Sequence, residues 1–260
     1  MDTPILNKSA AESLKQPLHV LKVGGAVVED TESLQQLIKD FSAIRGLKVL
    51  VHGGGRAATR MAERLGVETH MVDGRRITDD EMLRIVTMVY GGLVNKDIVA
   101  RLQAAGVNAI GLTGADMDII RSHKRTGGTV DYGWVGDVDR ADGERLASLL
   151  NDGLVPVIAP LTHDGQGRML NTNADTIAST VACALAPYFD VTLAYAFEKR
   201  GVMRNPDDPE SLIPHITSVD LPVLREQGIV SGGMLPKLDN AFAAIRRGVS
   251  RVMIGETVIS

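Results

Sequence analysis

A single cysteine, Cys183, leaves no partner for an intramolecular disulfide. It lies in the apolar run VACALA, where a packed core thiol is expected. Aromatic residues make up only 3% of the chain, too few for a base-stacking platform. A net charge of −4 also removes the basic surface that nucleic acid requires. No apolar stretch approaches the ~20 residues of a membrane helix. The opening MDTPILNKSAAESLKQ lacks the basic start and apolar run of a secretory signal. A soluble cytoplasmic protein without nucleic-acid or membrane partners is expected. The six histidines form no pair with one another or with the cysteine at metal-ligand spacing, so no structural metal site is expected. A Walker-type G-x-x-x-x-G-K-[ST], a nucleophile elbow and a Ser-His-Asp grouping are also missing.

What is present is ordinary globular material: 260 residues, 44% of them hydrophobic. Short Val-, Ile- and Leu-rich runs alternate with longer amphipathic stretches. LHVLKV (18–23), LKVLV (47–51), VNAIGL (107–112), GLVPVIAP (153–160), VTLAYAF (191–197) and SRVMI (250–254) read as strands apolar on both faces. TESLQQLIKDFSAI (31–44) and RAATRMAERLG (56–66) read as helices between them. The alternation predicts an α/β fold, a three-layer αβα sandwich around a mostly parallel sheet. Gly-rich turns in 123–139 and 161–170 predict β-hairpin lids over one end of that sheet. PDDPES (206–211) reads as a polar loop and the nearest thing to a hinge.

Three glycine clusters follow strands. LKVGGAV carries Lys22, Gly24 and Gly25; VLVHGGGRAA carries Gly53, Gly54 and Gly55; VSGGMLPKLDNA carries Gly232, Gly233, Pro236 and Lys237. Glycine lets backbone N–H groups approach an anion, and a following helix adds its positive end. Pro236 fits the first position of a helix, with Lys237 in the opening turn. The second cluster also fits a dinucleotide fingerprint, through Gly53, Gly55 and Ala58 with Asp73 some twenty residues on.

Polar residues cluster at helix starts. In MLNTNADTIASTVACALA, Asn171 and Asn173 are candidate caps and Asp175 falls in the opening turn. GRRIT places Arg75 and Arg76 before a helix expected to start near Thr78, and an arginine there can clamp a carboxylate bidentately. His52 reads as a strand-end packing residue.

The ordered set LKVGG, VHGGG, GRRIT, NTNAD and GGMLPK resembles the amino-acid kinase family over about residues 18–255. GRRIT, GLTGAD, WVGDV and LNTNAD resemble, within it, the N-acetylglutamate kinases. The resemblance implies that Lys22 and Lys237 neutralise a transferring phosphoryl group and that Asp175 orients them. It implies substrate binding by Gly54, Gly55, Arg76 and Asn171, and nucleotide binding by Gly24, Gly25, Glu198, Gly201, Ile229 and Ser231. It further implies an N-terminal lobe (1–186) for the acylglutamate and for dimerisation, and a C-terminal lobe (187–260) over the nucleotide. ATP with Mg²⁺ as co-substrate, no tightly bound cofactor, a homodimer and a place in arginine biosynthesis complete what it implies.

Two departures leave alternatives open. YAFEKRGVM brings Glu198, Lys199 and Arg200 to a corner that is neutral in such kinases apart from one Asp, where Glu198 stands here. A catalytically silent acylglutamate sensor therefore stands beside the kinase, as does an NAD(P)-dependent oxidoreductase on the dinucleotide fingerprint. The acyl group is acetyl or succinyl, and in the second case Arg75 would meet the extra carboxylate.

Overall fold

The computed structural model describes residues 15–72, 74–196, 200–205, 208, 210–230 and 234–260. Its strands are β1 (Pro17–Val23), β2 (Leu47–His52), β3 (Met71–Val72), β4 (Arg75–Arg76), β5 (Ala109–Leu112), β6 (Ile120–Lys124) and β7 (Gly136–Ala141). They continue with β8 (Val155–Ile158), β9 (Leu161–His163), β10 (Met169–Asn171), β11 (Asp190–Tyr195), β12 (His215–Ile216), β13 (Arg251–Ile254) and β14 (Thr257–Ile259). The helices are α1 (Gly25–Glu29), α2 (Thr31–Ala43), α3 (Gly55–Arg64), α4 (Asp80–Val86), α5 (Asn95–Ala104), α6 (Gly143–Asn151), α7 (Ala174–Leu185), α8 (Asp220–Glu226) and α9 (Met234–Arg246). Between α4 and α5 the chain winds as a π-helix, Thr87–Val94. None of the described helices is long and apolar enough to cross a membrane.

Among the described residues eight strands form one sheet in the order β12-β14-β13-β11-β1-β2-β8-β5. Every neighbouring pair is parallel except β13 with β14. Strand alternation divides the apolar residues between two cores, one on each face. Val49 and Val51 of β2 join the core packed against α6, α7 and α9. Leu50, between them, joins the core beneath α2, α4 and α5. Such double burial explains why these strands read as continuous apolar runs.

α2 shows how sequence sets an element. Leu34, Leu37, Ile38 and Phe41, spaced i, i+3, i+4, i+7, are its buried residues. The Asp30 carboxylate accepts from Ser33 N–H at 2.8 Å and caps its start. At the other end, Lys48 of β2 is buried and donates to the carbonyls of Phe41, Ser42 and Ile44. A lysine on those terminal carbonyls satisfies acceptors that the helix leaves open, and burial lowers its pKa.

A second sheet, β10-β9-β6-β7, holds the two antiparallel hairpins expected over one end of the main sheet. Asp118 staples it: Arg121, Arg140 and His163 all donate to its carboxylate. These bonds hold its pKa below the usual carboxylate value against the opposing effect of desolvation. Trp134 fastens the hairpin to α4. Lys124 Nζ lies 4.9 Å from its ring centre and Arg168 Cζ 4.1 Å. Its Nε1 donates to Asp80 at 3.1 Å.

The start of α4 falls just beyond Thr78, near where the sequence reading put it. Thr78 is fully buried and uses its backbone to bond Tyr132 and Trp134, so α4 begins later, capped by Asp79. Gly133, at φ +68°, makes this docking feasible, since a Cβ there would lie 2.2 Å from the Thr78 carbonyl oxygen. Pro236 lies within α9, and residues 231–233 before that helix lie outside the described ones.

The two-faced core generates a quantitative expectation. Leu50→Ala should lower unfolding free energy by about 2–5 kcal/mol. Val219→Ala, at a residue 78% exposed, should stay within about 0.5 kcal/mol. Denaturant midpoints for the two variants check this, and equal midpoints would contradict the assignment.

Candidate functional site

The C-terminal ends of the two central strands, β1 and β2, both run into glycine turns. The turns touch through backbone alone: a Cβ at Gly25 would sit 3.4 Å from Gly55 N and 3.5 Å from Gly54 N. A Cβ at Gly53 would lie 3.1 Å from Gly25 N. Side chains at these positions would push the turns apart. Among the described residues, the N–H groups of Gly24, Gly25, Gly54 and Gly55 donate to no protein acceptor. Glu29 at the end of α1 locks the arrangement by accepting from Ala57 N–H in the first turn of α3 and from Arg60 Nη1.

β1 ends in Lys22, whose Nζ lies 2.7 Å from the Asp175 carboxylate. Lys237, in the first turn of α9, reaches the other carboxylate oxygen at 3.9 Å. Asn173 caps α7 by accepting from the N–H groups of Asp175 and Thr176. Asn171 is not a cap; it ends β10, buried, and donates to Thr78 Oγ1 at 2.9 Å. The side chains of Lys22 and Asp175 are 14% and 29% exposed, enough screening from water to strengthen the pair and enough access for a ligand. One carboxylate between two lysines leaves the group net positive. Lys237 also lies 5.9 Å from the ring centre of Tyr195, whose hydroxyl pKa is pushed up by burial and then by the Asp175 charge.

Beside this cluster opens a cavity of about 210 Å³. That is below the ~300–1,000 Å³ of sites for drug-sized ligands, so an amino-acid-sized occupant fits. Gly53–Gly55 line one wall, Asn171–Ala174 and Thr176 another, with Arg75, Arg76 and Tyr90 between. The N-termini of α3 and α7 therefore both face it, and their positive ends favour an anion. Arg76 is 7% exposed and donates to neutral acceptors, among them the Gly55 carbonyl and Thr59 Oγ1 at 2.8 Å, Thr69 Oγ1 at 3.2 Å and Met82 Sδ at 3.9 Å. No carboxylate lies within 4 Å of it among the described residues. A buried cation in that state gains strongly from an anionic ligand.

The structure thus gathers Lys22, Lys237 and Asp175, and beside them Gly24, Gly25, Gly54, Gly55, Arg76 and Asn171. Gly201 is buried against β14, where a Cβ would meet Thr257 Oγ1 at 2.6 Å. Ile229 packs, half-buried, on the core beneath α7 and α9. Glu198 and Ser231, with Asp73, Lys199, Gly232 and Gly233, lie outside the described residues, as does part of 206–211. The sequence reading missed Tyr90, Arg125 and Asp137 as cavity residues. Arg125 and Asp137 face each other across β6 and β7 as a bidentate pair, which lowers the pKa of Asp137. Among the described residues, no group of three or more His, Cys, Asp or Glu side chains converges.

The sequence pattern of the amino acid kinase family matches residues 17–256. The chain is 62% identical over 241 residues to the acetylglutamate kinase of Phocaeicola vulgatus, covering 93% of this chain and 94% of that one. It is 60% identical over 243 residues to the acetylglutamate kinase of Bacteroides fragilis, covering 94% and 93%. Among solved structures, smu.665 from Streptococcus mutans UA159 matches with a TM-score of 0.77 at 28% identity, over 94% of this chain and 98% of that one.

The buried Arg76 guanidinium makes a direct prediction. Glutarate, a simple dicarboxylate, should raise the melting temperature by about 5–10 °C at about 100 times its Kd. Arg76→Gln should remove most of that rise; an undiminished shift would place the anion elsewhere.

Proposed function

This chain belongs to the amino acid kinase family, and we propose that the Lys22–Asp175–Lys237 cluster is where it transfers phosphate from ATP to the side-chain carboxylate of N-acetylglutamate. The convergence of two lysines on one carboxylate beside two open glycine turns is the observation that carries the reading. The acceptor carboxylate is ionised at neutral pH, so no general base is required. One of its oxygens attacks the γ-phosphorus; the bond to the β,γ-bridging oxygen breaks, and ADP leaves with the electron pair. The product is an acyl phosphate, a step towards arginine.

Such a transfer needs alignment of two anionic reactants and stabilisation of charge spread over the phosphoryl oxygens. Lys22 and Lys237 supply positive charge from opposite sides of Asp175, which holds both in place. The glycine N–H groups and the helix N-termini supply fixed donors that need no reorganisation. Arg76 holds the α-carboxylate and Asn171 the acyl amide. Gly24 and Gly25 meet the nucleotide phosphates, while 187–260, including Glu198, Gly201, Ile229 and Ser231, cover the nucleotide. Mg²⁺, where bound as the counter-ion of ATP, would add charge neutralisation to what the two lysines supply.

The dinucleotide reading leaves the Lys22–Asp175–Lys237 cluster without a role, whereas the kinase uses every member of it. A cytoplasmic homodimer is part of the same proposal. Met88 and Leu93, 56% and 59% exposed on the π-helix, give it an apolar contact face.

Hydroxylamine trapping of acyl phosphate tests the reaction. Lys22→Ala and Lys237→Ala should each lower kcat by at least about 10²–10³ with the fold intact. Near-normal turnover in either would overturn the assignment, and wild-type binding without turnover would make the protein a sensor. Arg75, on β4, also lines the cavity, so an N-succinyl substrate is the specific second reading. The kcat/KM ratio of succinyl- to acetylglutamate should then fall in Arg75→Ala; an unchanged ratio would exclude a role for Arg75.

A further inference from the structure

His52 is the last residue of β2, fully buried, one position before the glycine turn. Its Nδ1 lies 2.8 Å from the Gly53 carbonyl oxygen and its Nε2 3.1 Å from Asn95 Nδ2. The carbonyl can only accept, so Nδ1 carries the proton and Nε2 accepts from the amide. The same Asn95 nitrogen donates to the Val157 carbonyl at 2.9 Å, and Asn95 Oδ1 accepts from Lys96 Nζ at 3.1 Å. Lys96 also donates to the Gly111 carbonyl at 3.0 Å. Each partner therefore has one consistent hydrogen-bonding role. Gly111 must be glycine for the network to form, since a Cβ there would lie 2.0 Å from Asn95 Oδ1.

A trans peptide is planar, with its carbonyl and N–H pointing in opposite directions. Fixing the Gly53 carbonyl towards His52 therefore fixes the Gly54 N–H in the opposite direction. The π-helix braces the same turn from the other side. A Cβ at Gly54 would meet Tyr90 Cδ1 at 2.8 Å and Val94 Cγ2 at 3.6 Å, and Asn95 follows immediately after. We propose that His52, oriented by Asn95, is a positioning residue that aims the Gly54 N–H at the acceptor carboxylate, and that the π-helical turn exists to bring Tyr90 and Asn95 together onto this one peptide. Burial, which lowers the pKa of His52 to about 4, keeps the imidazole in the neutral form that this arrangement requires.

The inference rests on the kinase reading, and paired substitutions separate the two. Asn at 52 places an amide nitrogen where Nδ1 stands and keeps the bond to Gly53. Gln places its terminal group where Nε2 stands and keeps only the contact with Asn95. Both variants lose one buried hydrogen bond and should melt at similar temperatures. In His52→Gln, kcat/KM for the acylglutamate should fall by about 10- to 100-fold, whereas His52→Asn should stay within a few-fold of wild type. The Gly54 amide resonance of the ligand-free protein should move in His52→Gln and hold in His52→Asn. Equal kcat/KM in the two variants, or an unmoved Gly54 resonance in His52→Gln, overturns the positioning role. Silence of the wild type itself would instead overturn the kinase reading, and the resonance would then decide the positioning alone.

Discussion

Asp175 carries one negative charge and faces two positive ones that arrive from opposite parts of the chain, Lys22 at the end of β1 and Lys237 at the start of α9. Neither lysine would hold its place unaided, since two ammonium groups near one point repel each other. The carboxylate reduces that repulsion, and as a residue of the first turn of α7 it also sits where the helix dipole favours negative charge. Much of the surrounding structure serves to bring the ends of β1, α7 and α9 together.

The second requirement is close approach of backbone to backbone. The turns after β1 and β2 meet without intervening side chains, and Glu29 secures one to the helix that follows the other. Open N–H groups in such a place would normally destabilise a fold. Here they survive because each turn is held from behind: by the Gly53 N–H bond to the Val23 carbonyl, by His52, and by the ring of Tyr90. The donors are rigid before any ligand arrives, which limits the ordering that binding has to bring about.

The sheet was legible in the sequence because its central strands are buried on both faces, and runs such as LKVLV have no other way to be so uniformly apolar. Lys22, Asp175 and Lys237 were legible because each stands next to a glycine turn or a helix start. Tyr90, Asn95, Arg125 and Asp137 were not, because nothing in their spacing marks them. A π-helix breaks the periodicity that a helix reading relies on, and the lid residues reach the cavity only after the hairpin has folded over the sheet. His52 read as a packing residue and is indeed buried; its hydrogen bonds depend on Asn95, brought alongside from the start of α5. The docking of Thr78 against the hairpin was not legible either, since tertiary bonding of its backbone is invisible to local pattern.

The chain holds a single tryptophan, and it is Trp134, in contact with Lys124 and Arg168 where the lid hairpin meets α4. All of the protein's indole emission therefore originates at that seam. Two cations against the ring and a bond from Nε1 to Asp80 make the emission wavelength sensitive to how the seam is seated. The molecule carries its own optical gauge of lid position, readable in unlabelled protein and in real time.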